Sequence, residues 1–334
     1  MYTFINSLLK AEAYQHDTGD IKLVQTHISY VLLAGEYVYK IKKPVDFGFL
    51  DFSTLAKRKH YCTEEVVLNR RLCPDIYLEV VEIKELAGCY FMGGDKGVPV
   101  EYAVKMVRMP DERMMERVIG AGLFTAELVD ALVETLIPFY QHAARGTEID
   151  GFGSVDVVQA NILENFTQSE PFVGCPSLSE EEYGKIRLYA LDFLTRKNVF
   201  ATRIREGWIR DCHGDLYSAN ICLADKIYIF DCIEFSRRLR CCDVASDIAF
   251  LAMDLDYHGL DELSERFVMK FAEKAADPGL WAVLNFYKCY RACVRGKIGL
   301  LTAHDPDVNE ETRRGGLVQA ARYFELAMSY AETP

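Results

Sequence analysis

The spacing of apolar residues changes along the chain and predicts different elements in its two parts. Between about Lys22 and Lys43, "THISYVLLAG" and "EYVYKIKK" are rich in β-branched and aromatic residues, and they predict two strands with Gly35 in the turn. A helical pattern begins at Ser53 and ends before Pro74. Three strand-like segments follow: "IYLEVVEIKEL", "CYFMGG" and "EYAVKMVRM". This part therefore predicts a small sheet with one helix, in the order β-β-α-β-β-β.

The chain beyond Pro110 is predicted to be mostly helical. Thr125 is suited to cap one helix, and "SEEE" at Ser179–Glu182 is a capping box that predicts a long helix through about Thr202. The apolar residues of segment 154–178 show no clear periodicity, so this segment is expected to be irregular with room for a short helix. Further helices are predicted at about 243–255, 260–275 and 279–301 and at "GGLVQAARYFELAMSYA". We therefore expect an α+β fold, with a small mixed-sheet lobe over residues 1–108 and a larger helical lobe over 109–334.

Length and charge limit the classes of partner. A chain of 334 residues exceeds the size at which a single core usually keeps growing, so two lobes are expected. The net charge of −12 disfavours binding to nucleic acid or to an anionic membrane, because both depend on a positive field. An anionic nucleotide stays compatible with this charge if a metal ion and a few basic side chains screen its phosphates.

The cysteines and the chain start indicate a compartment. The 11 cysteines are scattered without a C-x-x-C pair, and "MYTFINSLLKAEAYQHD" lacks the features of a signal peptide. We therefore expect free thiols in a reducing cytoplasm. No apolar run approaches the length that spans a membrane, so no membrane partner is expected.

The segment "CHGDLYSANICLADKIYIFDCIEF" places several polar side chains beside apolar, strand-like runs. Its pattern H-G-D-x-x-x-x-N arises by chance in about one chain of this length in a thousand. Asp215 can orient an attacking hydroxyl and accept its proton, while Asn220 and Asp231 can bind the same cation. Hard oxygen ligands without Cys or His favour magnesium over zinc. Asp225 suits a turn between the two strands.

The segments "HGDLYSAN" and "IFD" resemble the catalytic and metal-binding motifs of the aminoglycoside-phosphotransferase-like kinases, which share a bilobal, protein-kinase-like fold. The segment "VYKIKKPVDFGFLDFSTLAKRKHYCTEEVVLNRRLCPDIYL" resembles a bacterial branch of uncharacterised phosphotransferase-like proteins, some of which carry a second, P-loop kinase domain. This chain contains no G-x-x-x-x-G-K-[ST], so the resemblance implies the kinase-like part alone. The resemblance is strong at 38–80 and 211–255, and weak at 110–200 and after 260.

The resemblance implies ATP and magnesium as cofactors and assigns further residues. Lys40 is the expected phosphate-binding lysine, with Lys42 as the alternative at period two on the same strand face. Glu65 is expected to hold this lysine, with Glu64 next. Adenine is expected near the segment "MVRMP", which includes Met106 and Arg108. The expected phosphate-covering loop, "LLAGEYVY", is poor in glycine, since Gly35 is its only glycine.

Structural interpretations compete with these assignments. Either lysine could be an edge-strand residue, and Glu65 could lie on a solvated helix face. Structural roles are favoured for His213 and Glu234. Asp243 and Asp247 lie four residues apart, where like charges repel on a helix, so a partner is expected. The resemblance implies that this segment braces the catalytic loop, which gives Asp247 a structural role. Met106, Met109, Met114 and Met115 could line an adenine pocket, but Met114 and Met115 suit the core better.

We expect a magnesium-ATP-dependent phosphotransferase that phosphorylates a hydroxyl of a small-molecule acceptor. The alternatives are a non-catalytic ATP-binding regulatory module, a protein kinase and a nucleotidyl transferase on the same fold. The acceptor-binding residues are expected within 145–180 and 255–310. The identity of the acceptor, the choice between ATP and GTP, and the oligomeric state stay open.

Overall fold

The computed structural model describes residues 3–48, 50–306 and 308–333. The chain forms two compact units. The first contains the residues up to Arg117 together with Asn220–Arg237, and the second contains Val118–Ala219 together with the chain from Arg238 onward. The first unit is therefore built from two separate stretches of sequence. The predicted division between residues 108 and 109 stays a prediction.

The described part of the first unit contains a six-stranded sheet in the order β1-β2-β3-β6-β4-β5. Its strands are β1 (Lys22–Gln25), β2 (Ser29–Ala34), β3 (Tyr37–Lys42), β4 (Tyr77–Leu86), β5 (Cys89–Met92) and β6 (Val98–Val107). The region predicted as two strands thus holds three. The sheet was expected to be mixed, but every pairing is antiparallel. The reason is that β6 lies between β3 and β4, which run in the same direction and do not pair.

The turn between β2 and β3 depends on Gly35. Its φ is +63°, and a Cβ there would lie 2.5 Å from the carbonyl oxygen of Asp17. The turn predicted from the sequence is therefore confirmed, and it needs glycine for both conformation and space.

The first unit has one long helix, α2 (Leu55–Asn69), preceded by the short α1 (Thr3–Ser7). Thr54, one residue after the predicted start, caps α2 by accepting a hydrogen bond from the Lys57 amide. The helix buries Cys62 and Val66 in a cluster with Tyr102 and Val104 of β6. Glu65 lies on the same buried face, and its residue surface is 0 % exposed.

A hairpin from late in the sequence completes the first unit. Its strands are β8 (Ile221–Leu223) and β9 (Ile227–Ile229), and Asp225 lies in the turn as predicted. Cys222 and Tyr228 join the cluster of α2 and β6. The Arg113 side chain donates to the Leu223 carbonyl at 2.5 Å.

The second unit is mostly helical. Two short helices, α3 (Met115–Gly120) and α9 (Arg237–Arg240), cross the boundary of the units. The other helices of the second unit are α4 (Ala126–His142), α5 (Thr147–Asp150), α6 (Val155–Ser169), α7 (Glu180–Leu194), α8 (Lys197–Arg205), α10 (Val244–Tyr257), α11 (Asp261–Ala275), α12 (Leu284–His304) and α13 (Glu310–Glu332). Two short strands, β7 (Ile209–Asp211) and β10 (Cys241–Asp243), pair antiparallel. Across the described residues we find no helix with the length and apolarity that a membrane crossing requires.

Two predictions about these helices need correction. Segment 154–178 was expected to be irregular with room for a short helix, but α6 extends over 15 of its residues and buries Ile162 and Phe166, which lie four residues apart. The helix that begins at the Ser179 capping box is confirmed at its start, but it ends at Leu194 and not near Thr202. The Thr195 hydroxyl donates to the Asp192 carbonyl at 2.6 Å, which competes with the next helical turn.

Helices α12 and α13 approach closely through two glycines. A Cβ on Gly316 would lie 2.8 Å from the Gly299 carbonyl oxygen, and a Cβ on Gly299 would lie 2.8 Å from the Gly316 oxygen. Helix α12 also packs on α10, whose residues from Val244 to Leu255 are all buried. These contacts hold α12, which carries two arginines described below.

Candidate active site

The site residues of the first unit begin on strand β3. Lys40 and Lys42 are two residues apart and share one face, while Tyr39 and Ile41 pack in the apolar core on the other. The Lys40 side chain is 13 % exposed and that of Lys42 is 1 % exposed. Neither lysine is therefore an ordinary solvated residue on an edge strand.

The two lysines and the three carboxylates around them form a row of ion pairs in which positive and negative groups alternate. Lys40 contacts Glu65 at 2.9 Å and also contacts Asp231. Lys42 contacts the other oxygen of Glu65 at 2.6 Å and also contacts Glu234. The order is therefore Asp231, Lys40, Glu65, Lys42, Glu234. Glu65, expected to hold one lysine, is placed against both.

The ion pairs in this row keep the lysines protonated. Burial by itself would lower the pKa of Lys40, but Asp231 and Glu65 outweigh it and hold that pKa well above the usual value. Burial likewise opposes the charge on Glu65, yet the two lysines lower its pKa. Burial raises the pKa of Glu234 despite Lys42. An ammonium that stays protonated is what a phosphate-binding lysine requires.

Asp231 follows β9 in an unusual backbone conformation. Its φ is +61°, in the left-handed region. Its amide donates to the Tyr77 hydroxyl at 3.2 Å, and the next amide, of Cys232, donates to the Asn69 side chain at 2.9 Å. The Asp231 side chain stays 41 % exposed. The fold thus holds a strained residue in place with its carboxylate accessible, as is common at functional sites.

Asn220 lies at the same end of the hairpin as Asp231. It directly precedes β8, and its carbonyl accepts a hydrogen bond from the amide of Phe230 at 3.0 Å. The donor set therefore consists of an amide and a carboxylate, and both are hard oxygen ligands. Within the described residues, no group of three or more His, Cys, Asp and Glu forms a metal cluster. This pair fits magnesium, which binds through one or two protein oxygens and completes its shell with water and substrate phosphates.

The segment expected to bind adenine, residues 106–110, includes the last two residues of β6. Met106 is buried in the apolar cluster with Val66 and Tyr77. Arg108 is exposed, and its amide donates to the Glu36 carbonyl at 2.8 Å. A pocket of about 660 Å³ lies beside it, lined by Gly35, Glu36, Tyr37 and residues 107–112. Arg108 therefore lines a pocket, whereas Met106 contributes to the core.

The site residues of the second unit lie in the loop after β7. The His213 and Gly214 amides donate to the two carboxylate oxygens of Asp247 at 2.7 and 3.0 Å. The Asp215 amide donates to Nδ1 of His213 at 3.3 Å. The structural role predicted for Asp247 is confirmed by these hydrogen bonds. They fix the backbone that carries Asp215.

Helices α10 and α12 support the rest of this loop. On α10, Phe250 stacks on Tyr217 with 5.4 Å between ring centroids, and Asp254 accepts from the Ser218 amide at 2.9 Å. Together with Asp247 they occupy one face of the helix. From α12, Arg291 donates to the Gly214 carbonyl at 2.9 Å.

Several supporting residues were not anticipated from the sequence. Lys42 pairs with Glu234, which gives the second of the two lysines at period two a structural partner of its own. Tyr77 and Asn69 hold the Asp231 segment. Arg291 gives no local sequence signal, because a single arginine in a long helix is typical of a surface.

Comparison of the sequence with known proteins finds uncharacterised relatives. No family model matches the chain. Uncharacterised proteins of Mycobacterium tuberculosis and Mycobacterium bovis are 34 % identical over 284 residues, which is 84 % of this chain and 55 % of the relative. The chain therefore spans about half the length of the curated relatives it matches.

Solved structures match nearly the whole chain at low identity. An amicoumacin kinase in complex with AMP-PNP and Ca²⁺ aligns with a TM-score of 0.55 and 15 % identity, covering 100 % of this chain and 95 % of that one. A choline/ethanolamine kinase family protein from Mesorhizobium loti aligns with a TM-score of 0.52 and 12 % identity, covering 96 % and 95 %. The chain therefore has the kinase-like α+β fold that these structures share. The predicted α+β class is thereby confirmed.

A Plasmodium vivax ethanolamine kinase shares this kinase-like fold, with a TM-score of 0.51, 13 % identity, and coverage of 94 % of this chain and 82 % of that one. Identities this low establish the fold alone, because one fold serves many chemistries. The fold therefore does not define the activity of this chain, which depends on its own residues.

Proposed function

We propose that the chain transfers the γ-phosphoryl group of magnesium-ATP to a hydroxyl of a small-molecule acceptor. The observation that carries this proposal is the pairing of Lys40 with the buried Glu65 and with the accessible carboxylate of Asp231. A solvated helix face does not explain a glutamate that is 0 % exposed between two lysines. The AMP-PNP and Ca²⁺ named for the amicoumacin kinase support a nucleotide and a divalent cation on this fold.

The roles of the residues follow from their surroundings. Lys40, kept charged by its carboxylate partners, binds ATP phosphate oxygens, and Glu65 aims it. Asn220 and Asp231 would hold magnesium, which when bound neutralises charge on the phosphates. Asp215 orients the acceptor hydroxyl and accepts its proton while the new O–P bond forms and the bond from the γ-phosphorus to ADP breaks. Arg108 and its pocket receive the adenine. The reaction is placed in the cytoplasm because all 11 cysteines are free thiols, as expected in a reducing compartment.

The test uses γ-labelled ATP, magnesium, the purified chain and a small-molecule extract of the cells that express it. We expect label on a small molecule with the wild type and none with Asp215→Ala, while ATP affinity stays within about twofold. Asp231→Ala should weaken magnesium-ATP binding itself. Asp225→Ala, in the β8–β9 turn, is the matched carboxylate control and should behave as the wild type.

The alternatives predict other outcomes. Label on a polypeptide would favour a protein kinase, and α-labelled ATP that marks the acceptor would favour a nucleotidyl transferase. Tight ATP binding without transfer would favour a regulatory module. Full activity of both Asp215→Ala and Asp231→Ala would contradict the assigned site. Labelled GTP in parallel identifies the donor.

A further inference from the structure

A run of aromatic and arginine side chains in the second unit leads to the loop that carries Asp215. Tyr257 of α10 stacks on Tyr323 of α13, with 4.0 Å between centroids. The guanidinium of Arg295 on α12 lies 5.8 Å from the Tyr323 ring and 4.4 Å from the Tyr217 ring. Tyr217 in turn stacks on Phe250. Arg295 is thus held between two aromatic rings, one of which lies two residues after Asp215.

Arg295 differs from neighbouring buried cations in its partners. Arg291, one turn earlier on α12, faces Asp247 at 3.6 Å, and Lys288 contacts Asp256 at 2.7 Å. No carboxylate among the described residues forms an ion pair with Arg295, and its Nε atom is buried without a hydrogen-bond partner there. Ring contacts stabilise a cation, but they supply no opposite charge.

The position of Arg295 relates it to the reacting group. Arg291 binds the Gly214 carbonyl, and Arg295 follows on the same helix face four residues later. Burial by itself would lower the pKa of Arg295, and the side chains of Tyr217, Tyr323 and Asp215 raise it. The guanidinium therefore lies within electrostatic range of the carboxylate to which we assign proton acceptance.

We propose that Arg295 binds an acidic group of the acceptor, a carboxylate or a phosphate. This rests on the proposed function, because it names the acceptor class of the same site. A guanidinium binds such a group through two parallel hydrogen bonds, and the anion supplies the charge that Arg295 lacks. The acceptor is then a hydroxy acid or a phosphorylated alcohol, and not an amino alcohol.

The first experiment separates the cell extract on an anion exchanger at neutral pH before the transfer assay. Each fraction is incubated with γ-labelled ATP and either the wild type or Asp215→Ala. We expect acceptor activity in the retained, anionic fraction. Activity confined to the unretained fraction would overturn the acidic acceptor and leave the proposed function standing. Transfer to neither fraction would reject the proposed function, and the acceptor class with it.

The second experiment tests Arg295 with the acceptor recovered from the retained fraction. Arg295→Gln should raise the KM for this acceptor at least tenfold, while the KM for ATP changes less than twofold. Arg295→Lys should recover part of the loss. Arg322→Gln is the control, because Arg322 is an exposed arginine that stacks on Tyr257 at 4.2 Å.

A purely structural role for Arg295 gives a different result. We expect a neutral methyl ester of the acceptor to lose affinity with the wild type but to lose nothing further with Arg295→Gln, because both changes remove one interaction. Additive losses would mean that Arg295 acts only by supporting Tyr217. A raised KM for ATP would assign it to the γ-phosphate of the donor instead.

Discussion

The two lysines of β3 share a strand face but have different surroundings. Lys42 is enclosed by Glu65 and Glu234 and lies 4.8 Å from the Phe52 ring centroid. Lys40 is the more exposed of the two and contacts Asp231, whose carboxylate reaches solvent. These differences favour Lys40 as the phosphate-binding residue and Lys42 as the residue that fixes Glu65.

Substitution of each lysine by methionine separates the two roles. Lys42→Met leaves two buried carboxylates without this partner, so we expect a loss of about 3–5 kcal/mol in the free energy of unfolding, measured in urea. Lys40→Met should cost less stability but reduce transfer at least 100-fold at saturating acceptor. A stable, inactive Lys42→Met together with an active Lys40→Met would reverse the assignment.

Glu65 gives the fold a specific dependence on pH. Because its pKa is lower in the folded chain than its ordinary value of 4.5, its ionised form stabilises the fold above that pH. This contribution is lost as the pH falls below 4.5 and Glu65 takes up a proton. The difference in unfolding free energy between the wild type and Glu65→Gln should therefore shrink between about pH 5 and pH 2, in parallel urea titrations. A difference independent of pH would contradict the ion pairs.

The residues proposed for the chemistry can be singled out in the sequence, whereas their partners cannot. Motif spacing and residue type pointed to Asp215, Asn220 and Asp231, and these positions stay predictions. Strand periodicity placed both lysines on one face, but it contains no information on which carboxylate lies opposite. The pairing of Lys42 with Glu234 joins positions far apart in sequence, so only the fold reveals it.

At the scale of elements, α10 supports the loop that carries Asp215 through one face. The sequence raised the question of how Asp243 and Asp247 coexist at a spacing of four. The structure answers that Asp243 pairs with Arg203, while Asp247 binds loop amides and faces Arg291. Each carboxylate therefore has its own cation, and the like charges do not confront each other unpaired.

Asp247→Asn tests this support. The amide cannot accept from both the His213 and Gly214 amides as the carboxylate does, so the loop should shift. We expect kcat to fall by roughly 10–100-fold, since small misplacements of reacting groups have effects of this size. The KM for ATP should change little. Asp256→Asn, on the same helix but paired with Lys288, is the control and should keep its kcat.

Neighbouring glycines of α13 test the helix crossing that holds α12. Gly316→Ala should reduce the free energy of unfolding by about 1–3 kcal/mol, because its Cβ meets the Gly299 carbonyl at 2.8 Å. Gly315→Ala should increase stability by up to about 1 kcal/mol, because alanine favours a helix and nothing lies within 4 Å of that position. Thermal melts of the two variants that shift in the same direction would contradict the crossing.

The type of a secondary-structure element could be predicted where the capping motif, the turn residue or the periodicity of apolar residues gave a strong local signal. The α7 capping box and the turn at Gly35 are local signals, and both are confirmed. The length of helix α6 was underestimated because its segment is rich in β-branched and polar residues, whose weak helix propensity is overridden by packing of Ile162 and Phe166. The position of β6 between β3 and β4 is a long-range pairing that local patterns do not encode.

At the scale of the molecule, the first unit depends on a hairpin that is remote in sequence. Cys222 and Tyr228 complete its α2–β6 core, and the Cys73 thiol contacts the Ile229 carbonyl at 3.0 Å. Asn220 and Asp231 flank this hairpin, so the elements that complete the core also carry the proposed metal ligands.

A fragment ending at Arg117 should therefore lack a stable fold. We expect it to show little protection in hydrogen exchange, since part of its apolar core stays uncovered. The same fragment joined to residues 220–237 through a flexible Gly/Ser linker should gain protection in α2 and β6. Equal protection with and without the added hairpin would contradict its structural role.

Because the first unit is built from two separate stretches of sequence, its parts are synthesised at different times. At translation rates of about 5–20 residues per second, residues up to Arg117 leave the ribosome roughly ten seconds before Asn220–Arg237. During that interval the nascent sheet and α2 expose the apolar surface that Cys222 and Tyr228 later cover. Chaperones therefore have a defined time window in which to bind this chain, and codons read slowly between the two stretches would lengthen it.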